Sequence, residues 1–435
     1  MRDIEEEEYT RIEKVRSAFN DTCEIFGFKR LMPSPIEMLS TLEAKSGPGI
    51  KDEIYHFKDK KDRDLGLRFD LTVGITRYIT GKKDLRRPHR VGTFGDMFRY
   101  DEPQKGRYRW FHQWNAEIYY TVQDNPRDHV FELFKFTISL FNKIGIDNFK
   151  IRVGHREIAE SFVNLLIYEK LEKPNEDNQQ NVITILRLLD KIEKKDSKQI
   201  IDEAIELGMD AKKAEILLEF GRIKSNDLNL LKEKYFSILE KLSITEKDLE
   251  DIENIIQGYF NLFELNIKNI EFDLGLVRGM DYYDGYVFEI VDLNNKEIGS
   301  IAGGGEYSRL IKSFEGPMNL SAIGIAGGIE RTIEKVNSKQ ETNKNLISVI
   351  SLVEGKAEKL ISALRENNIP TTYRQLNKED IKRGLKFADA NNVNVAIIIG
   401  EKELKDGKYR IKHMKTGKEE LIQKETVINF IKELI

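Results

Sequence analysis

Between Pro174 and Pro317 the chain contains no proline, and within residues 156–265 apolar residues recur at intervals of three and four, as in ILRLLDKIEKK and AEILLEFGRI. Proline would remove a helix hydrogen bond and clash with the preceding turn, so its absence leaves the stretch free to be helical. The period puts an apolar stripe on one face of each helix. On either side the text changes to short runs broken by glycine and turn residues. EIYHFKD, LGLRFDL, RVGTFGDMFRYD and RYRWFHQWNAEIYY precede the block, and NIEFDLGLVRG, GYVFEIVD and GSIAGGGEYSRLI follow it. These read as strands. The expectation is a helical insertion at about 160–265, with the β-rich parts on its two sides sharing one sheet.

The remaining organisation fits around that pattern. Residues 5–28 place Ile12, Val15, Ala18 and Phe19 at helical spacing, and Pro33 and Pro35 then break it. A further helix is expected over Leu71 to Thr80, and another after the glycines of IGIAGGIERTIEKV. The polar stretch NSKQETNKN at 337–345 reads as a linker. Beyond it LISVISLV, TTYRQL and VNVAIIIG alternate with helical segments and YRIKHM reads as a hairpin region, which predicts a small α/β module with a mostly parallel sheet. At 435 residues the chain exceeds the roughly 250–300 at which single cores stop growing. The division expected is therefore 1–336, a linker at 337–345, and 346–435.

Composition removes several function classes. The one cysteine, Cys23, cannot close an intramolecular disulfide, and the six histidines show no spacing that closes a zinc site. The acidic N-terminus MRDIEEEEYT is unlike a targeting peptide, and no apolar window is long enough to span a bilayer. A cytoplasmic, non-membrane protein is expected. Residues 341–435 carry 18 Lys+Arg against 14 Asp+Glu, leaving 52 against 60 in the rest. That asymmetry suits a C-terminal module that meets a polyanion, and equally an uneven solvated surface. P-loop, dinucleotide-binding, nucleophile-elbow and HExxH signatures are all missing from the sequence.

Four segments combine residues that carry chemistry. FRYDEPQKGRYR, residues 98–109, sets four cations around a turn marked by Pro103 and Gly106, which suits phosphate, although a surface hairpin with ordinary ion pairs has the same composition. LVRGMDYYDG, residues 276–285, packs an arginine, acids and two tyrosines between glycines, a costly set to bury unless it faces a polar ligand. IAGGG, residues 301–305, leaves room for a ligand or for another backbone. GGIER, residues 327–331, sets a cation where glycines let it approach an anion. Together they suit a ligand bearing both phosphates and an amine.

At these four segments the chain resembles the class II aminoacyl-tRNA synthetases, and among them the histidyl-tRNA synthetase family in its archaeal and eukaryotic branch. LVRGMDYYDGYVFE and SIAGGGEY resemble that family's two histidine-specific motifs, FRYDEPQKGRYRWFHQ its motif 2, and GGIER its motif 3. The fold implied is α+β: a catalytic domain with an antiparallel sheet flanked by helices, a helical insertion, and a C-terminal α/β anticodon-binding domain. The activity implied is ATP-dependent activation of histidine to histidyl-adenylate, then transfer to the 3′ end of histidine tRNA, by a homodimer using ATP and Mg²⁺ with no fixed protein metal ligands.

By the same resemblance Arg99 and Arg278 serve catalysis at the α-phosphate and the substrate carboxylate. Arg107 and Arg331 meet the γ-phosphate, and Asp101 stands at the motif 2 acid position. Asp70, Thr72 and Gln113 match the residues for the α-amino group, and Glu117 with Tyr283 the pair for the imidazole nitrogens. Tyr282, Gly303 and Gly304 complete the histidine site with Arg278. Departures occur at Glu306 and Ser308, which replace the usual Arg and Asp, and near motif 1, where either Pro33 or Pro35 matches the family's proline. Two silent alternatives share the fold: a paralogue such as the regulatory subunit of ATP phosphoribosyltransferase, and a sensor of uncharged tRNA.

Overall fold

The computed structural model describes residues 2–46, 48–82, 85–100, 102, 108–172, 174–193, 195–244, 269–277, 282–294, 299–333, 336, 346–377 and 380–434. They fall into two compact units, Met1–Asn337 and Ser338–Ile435. The first is built on a nine-stranded sheet. Its spatial order is Lys29–Arg30, His89–Phe98, Trp110–Thr121, Leu320–Gly328, Ser300–Glu306, Tyr286–Asp292, Phe149–His155, Ile270–Asp273 and Lys224–Ser225. The strands from both sides of the helical block thus interleave in one sheet.

Pairing is antiparallel except at two places, Lys29–Arg30 beside His89–Phe98 and Phe149–His155 beside Ile270–Asp273. Parallel neighbours cannot be joined by a tight turn and need a crossover. The helical insertion is that crossover, leaving the end of Phe149–His155 and returning into Ile270–Asp273. Its described helices are Arg156–Tyr168, Glu176–Leu189, Ser197–Glu206, Ala211–Phe220 and Leu228–Lys241, and residues 245–268 lie outside the described ones. Asn175, Asp196, Asp210 and Asp227 each cap a helix start through the side chain, and Asp196 with Gln199 forms a capping box. Inside the block Phe162 stacks on Phe220 with ring centroids 3.9 Å apart. The insertion also contributes a strand that the sequence reading lacks. Lys224–Ser225, too short to show a period, pairs with Phe272 and Asp273 at the sheet edge.

Along Trp110–Thr121 successive side chains point to opposite faces. Trp114, Ala116, Ile118 and Tyr120 enter the main core. There the helices Glu6–Ile25 and Pro126–Ile144 supply Phe19, Phe136 and Phe141, whose rings lie 6.1 to 6.3 Å from that of Trp114. Gln113, Asn115, Glu117 and Tyr119 occupy the other face and are equally buried. On that face the helices Leu71–Thr80 and Ser308–Ser313 pack Leu71, Ile75, Leu310 and Ile311 around Tyr119 and Tyr307. A separate three-stranded sheet joins Ile36–Met38, Asp64–Leu67 and His56–Lys58.

The second unit holds a five-stranded sheet in the order Thr371–Gln375, Ile347–Ser351, Val395–Ile399, Lys408–His413, Glu419–Gln423. The mostly parallel sheet expected from the sequence is corrected here to a mixed one. The first three strands are parallel, and Lys408–His413 and Glu419–Gln423 add an antiparallel hairpin. The apolar run VAIII marks a central strand buried along its whole length, a pattern shared by both sheet types.

Phe162→Ala would empty a stacked, fully buried site in the insertion, at a cost of roughly 3–5 kcal/mol. Amide exchange should accelerate in the helices Arg156–Tyr168 and Ala211–Phe220 before the central strands respond. Uniform acceleration over the first unit would show instead that the block has no core of its own.

Candidate active site

A cavity of about 420 Å³ opens over the polar face of the nine-stranded sheet. Asp70, Thr72, Gln113 and Glu117 line it from the helix Leu71–Thr80 and the strand Trp110–Thr121. Tyr282, Tyr283, Gly303 and Gly304 line it from the loop before Tyr286–Asp292 and from Ser300–Glu306, and Arg99 and Arg331 complete the wall. The structure therefore brings together ten candidate residues separated by as many as 261 positions in sequence. Asp101, Arg107 and Arg278 lie outside the described residues.

Glu117 is the deepest of these groups, with 1% of its surface exposed. Three donors hold its carboxylate. Thr72 Oγ1 and Asn115 Nδ2 donate to Oε1, each at 2.8 Å, and Tyr307 OH donates to Oε2 at 2.6 Å. Burial pushes the Glu117 carboxyl up to about 7, against the opposing pull of these hydrogen bonds. The space for it is made across the ladder. Gly324 sits opposite Glu117, and a Cβ there would stand 1.4 Å from Oε2, so any side chain at 324 would expel the carboxylate.

The donors are themselves fixed. Asp70 caps the helix Leu71–Thr80 by accepting the Thr72 backbone N–H at 2.6 Å, which orients Thr72 toward the strand. Gln113 Nε2 donates to Asn115 Oδ1 at 2.7 Å, and Tyr307 OH also lies 3.3 Å from the Tyr119 hydroxyl, which pairs with Thr76 Oγ1. Burial raises the Tyr307 phenol well above its ordinary value, so it remains a neutral donor. Tyr283 spreads over Gly305, where a Cβ would come within 2.7 Å of its ring, and its centroid lies 4.4 Å from that of Tyr282.

Asn115 and Tyr307 were not among the residues expected to bind. The signal for Asn115 was present, because it lies two positions before Glu117 on the same strand face. Tyr307 ends the quoted SIAGGGEY segment, but its contact with Glu117 spans 190 positions and has no local pattern. Glu306 and Ser308, the departures from the family pattern, make firm contacts. Tyr120 OH donates to Glu306 at 2.5 Å, and Ser308 bonds Asp284 through both its Oγ and its backbone N–H.

The opposite end of the cavity is cationic. Arg99 donates Nε to the Phe69 carbonyl at 3.0 Å and lies over the Phe111 ring, 5.1 Å from its centroid. Arg331 Nη1 donates to the Ser300 carbonyl at 2.7 Å. Glu330 accepts from the His112 backbone N–H at 3.0 Å and contacts Nδ1 of the same histidine at 2.9 Å, which ties the GGIER turn to the start of the central strand. The helix expected after GGIER begins as turns in the described residues, where Ile333 N donates to Ile329 O at 2.9 Å. Guanidinium groups just beyond the ends of two strands and a buried carboxylate within a third suit one ligand that carries an anion and a polar N–H group.

Comparison with known proteins gives the family to which the chain is similar. Residues 1–332 match the family model described as Histidyl-tRNA synthetase, and residues 344–434 match the Anticodon binding domain. The histidine–tRNA ligase of Clostridium tetani is 31% identical over 96% of this chain and 94% of its own. That of Pyrococcus furiosus is 28% identical over 100% of this chain and 98% of its own. The crystal structure of histidyl-tRNA synthetase from Nostoc sp. PCC 7120 shares the fold with a TM-score of 0.72 at 20% identity, covering 98% of this chain and 95% of that one.

Because the folded protein holds Glu117 protonated up to about pH 7, its stabilising contribution is complete below the ordinary value of 4.5 and is lost as pH rises through about 7. Urea unfolding of the ligand-free protein should show wild type losing on the order of 1–3 kcal/mol relative to Glu117→Gln between pH 5 and pH 8. A difference that stays constant over that range would contradict the raised carboxyl.

Proposed function

The chain belongs to the histidyl-tRNA synthetase family, and we propose the following assignment of its residues to that family's reaction. The protein is a histidine–tRNA ligase of class II. It uses ATP to convert histidine to histidyl-adenylate and passes the histidyl group to the 3′ end of histidine tRNA. The observation that carries the residue assignment is the buried Glu117 carboxylate, ringed by Thr72, Asn115 and Tyr307 in the same cavity as Arg99 and Arg331.

The imidazole of histidine occupies the carboxylate end. Glu117 accepts its N–H there, and Tyr283, with Tyr282 behind it, meets the other ring nitrogen. An amino acid without that pair of nitrogens would leave the buried carboxylate facing an apolar group, a penalty that can reach roughly 10⁴-fold in specificity. Asp70, Thr72 and Gln113 face the α-amino group, and Gly303 and Gly304 let the substrate backbone lie close to the strand. The histidine carboxylate then attacks the α-phosphorus of ATP, forming the acyl–phosphate bond as the α–β anhydride breaks and pyrophosphate leaves. Arg99 and Arg278 neutralise the charge that develops at the α-phosphate, Arg107 and Arg331 hold the γ-phosphate, and Asp101 completes the ATP-binding set.

Mg²⁺ supplies charge neutralisation at the phosphates when it is bound with ATP. Glu289 and Asp190 on the cavity wall would offer it carboxylate oxygens. That donor set fits an ion held mainly by phosphate. Residues 346–435 bind the anticodon arm, residues 337–345 link them to the catalytic part, and the excess of cations in the C-terminal module suits the RNA. The working form is a cytoplasmic homodimer. Exposed Ile36, Met38 and Phe57 on the three-stranded sheet supply apolar surface for the partner. Among the described residues no helix is long and apolar enough to cross a membrane. The silent paralogues are the weaker reading, because the chain keeps all four arginines and the C-terminal module.

Amino-acid-dependent ATP–pyrophosphate exchange, with all twenty amino acids offered separately, should respond to histidine alone. Tyr307→Phe removes one donor to the recognition carboxylate and should raise the KM for histidine by about tenfold or more, the scale of one charge-assisted hydrogen bond. Exchange driven by another amino acid would overturn the assignment of Glu117, and an unchanged KM in the variant would remove Tyr307 from the recognition group.

A further inference from the structure

The described residues that flank 278–281, Val277 on one side and Asp284 and Gly285 beyond Tyr282 and Tyr283 on the other, are gripped by a buried ionic cluster outside the cavity. Arg156, the first residue of the insertion and 1% exposed, donates its backbone N–H to the Gly285 carbonyl at 2.8 Å and Nη1 to the Val277 carbonyl at 3.3 Å. One turn further on, Glu160, also 1% exposed, accepts Arg156 Nε at 3.0 Å. The same carboxylate accepts Nη1 and Nη2 of Arg309, at 3.1 and 3.0 Å. Arg309 in turn donates its backbone N–H to Asp284 at 3.0 Å, beside the Ser308 contacts to the same carboxylate.

The flanking residues also press hard on their supports. A Cβ at Gly154 would stand 2.2 Å from the Leu276 carbonyl oxygen, and one at Gly285 would stand 1.9 Å from Glu306 Oε2. Buried ion pairs seldom repay their desolvation as net stability, so a cluster of this kind is better accounted for by the geometry it enforces. The geometry enforced here is that of Val277, Asp284 and Gly285, and through them of the tyrosines that share the cavity with Glu117. Glu306 and Ser308, the two positions at which the chain departs from the family pattern, belong to the same surroundings.

We propose that Arg156, Glu160 and Arg309 are positioning residues for amino-acid recognition, which fix Val277, Asp284 and Gly285 so that Tyr282 and Tyr283 meet the substrate. This inference rests on the reading of the cavity as a histidine site. The test is histidine- and ATP-dependent pyrophosphate exchange by the full chain carrying Arg309→Lys, which keeps the charge and loses the paired contact to Glu160. The KM for histidine should rise by about tenfold while that for ATP changes by no more than about twofold, as expected for loss of one charge-assisted bond upstream of a single substrate. Glu160→Gln should do the same, and the double variant should be no worse than the poorer single one, because both break one cluster.

Wild-type protein without histidine-dependent exchange would overturn the reading of the site, and this inference with it. Wild-type exchange with an unchanged histidine KM in Arg309→Lys would overturn the inference alone. A loss that falls equally on both substrates, in proportion to the folded fraction seen by circular dichroism, would also overturn it. The Arg309 side chain is 28% exposed, so Arg309→Lys decides the matter even if Glu160→Gln does not fold.

Discussion

A carboxylate placed in the middle of a central strand is the constraint from which the arrangement of the cavity follows. Burying Glu117 removes it from water at a cost that only hydrogen bonds or a counter-charge can offset. Thr72, Asn115 and Tyr307 arrive from a helix, the same strand and the turn after Ser300–Glu306, and each places one donor on it. Gly324 supplies the space. These partners satisfy the carboxylate only in part, since its proton affinity remains well above that of an ordinary glutamate. Such an acceptor has capacity left for a further N–H, which a ligand can supply.

The same constraint explains why the cavity has two unlike ends. Arginines beside Glu117 would neutralise it and remove its capacity to select a substrate. In this structure two cations of the wall, Arg99 and Arg331, donate to the carbonyls of Phe69 and Ser300, and the side chains that donate to Glu117 are neutral. Separation along rigid strands lets one site recognise a neutral or weakly basic ring at one end and polyphosphate at the other.

What the sequence makes legible follows from the range of the physics involved. The helical insertion and the strands around it could be read because apolar period and turn residues are local signals, and a shared sheet was expected of the flanking strands, whose interleaved order only the structure gives. The Glu117 position was reached through the family resemblance, and the cavity does gather it with Asp70, Thr72 and Gln113. The grip of Tyr307 on Glu117 and of Glu330 on His112 spans 190 and 218 positions, and no local pattern encodes either. The edge strand Lys224–Ser225 is too short to have a period. In the C-terminal unit the hairpin region expected at YRIKHM is present, but VAIII shows burial on both faces and not strand direction, so the antiparallel pairing that makes that sheet mixed was not distinguished.

The point at which the insertion enters the sheet matters as much as its helices. A parallel pair needs a long connection in any case, and closing a longer loop adds little entropy, so a helical block can grow between Phe149–His155 and Ile270–Asp273 without disturbing the antiparallel strands that carry Glu117. The cost of that choice is proximity. The first residue after the departing strand is Arg156, and the residues soon after the returning strand are Val277 and its loop, so the root of the insertion and the tyrosine loop are neighbours by topology. A buried salt bridge at that junction gives the block a fixed seat against the loop. It follows that substitutions at the root of the insertion should be felt in amino-acid recognition, while substitutions on its outer helices should leave the Glu117 pocket undisturbed.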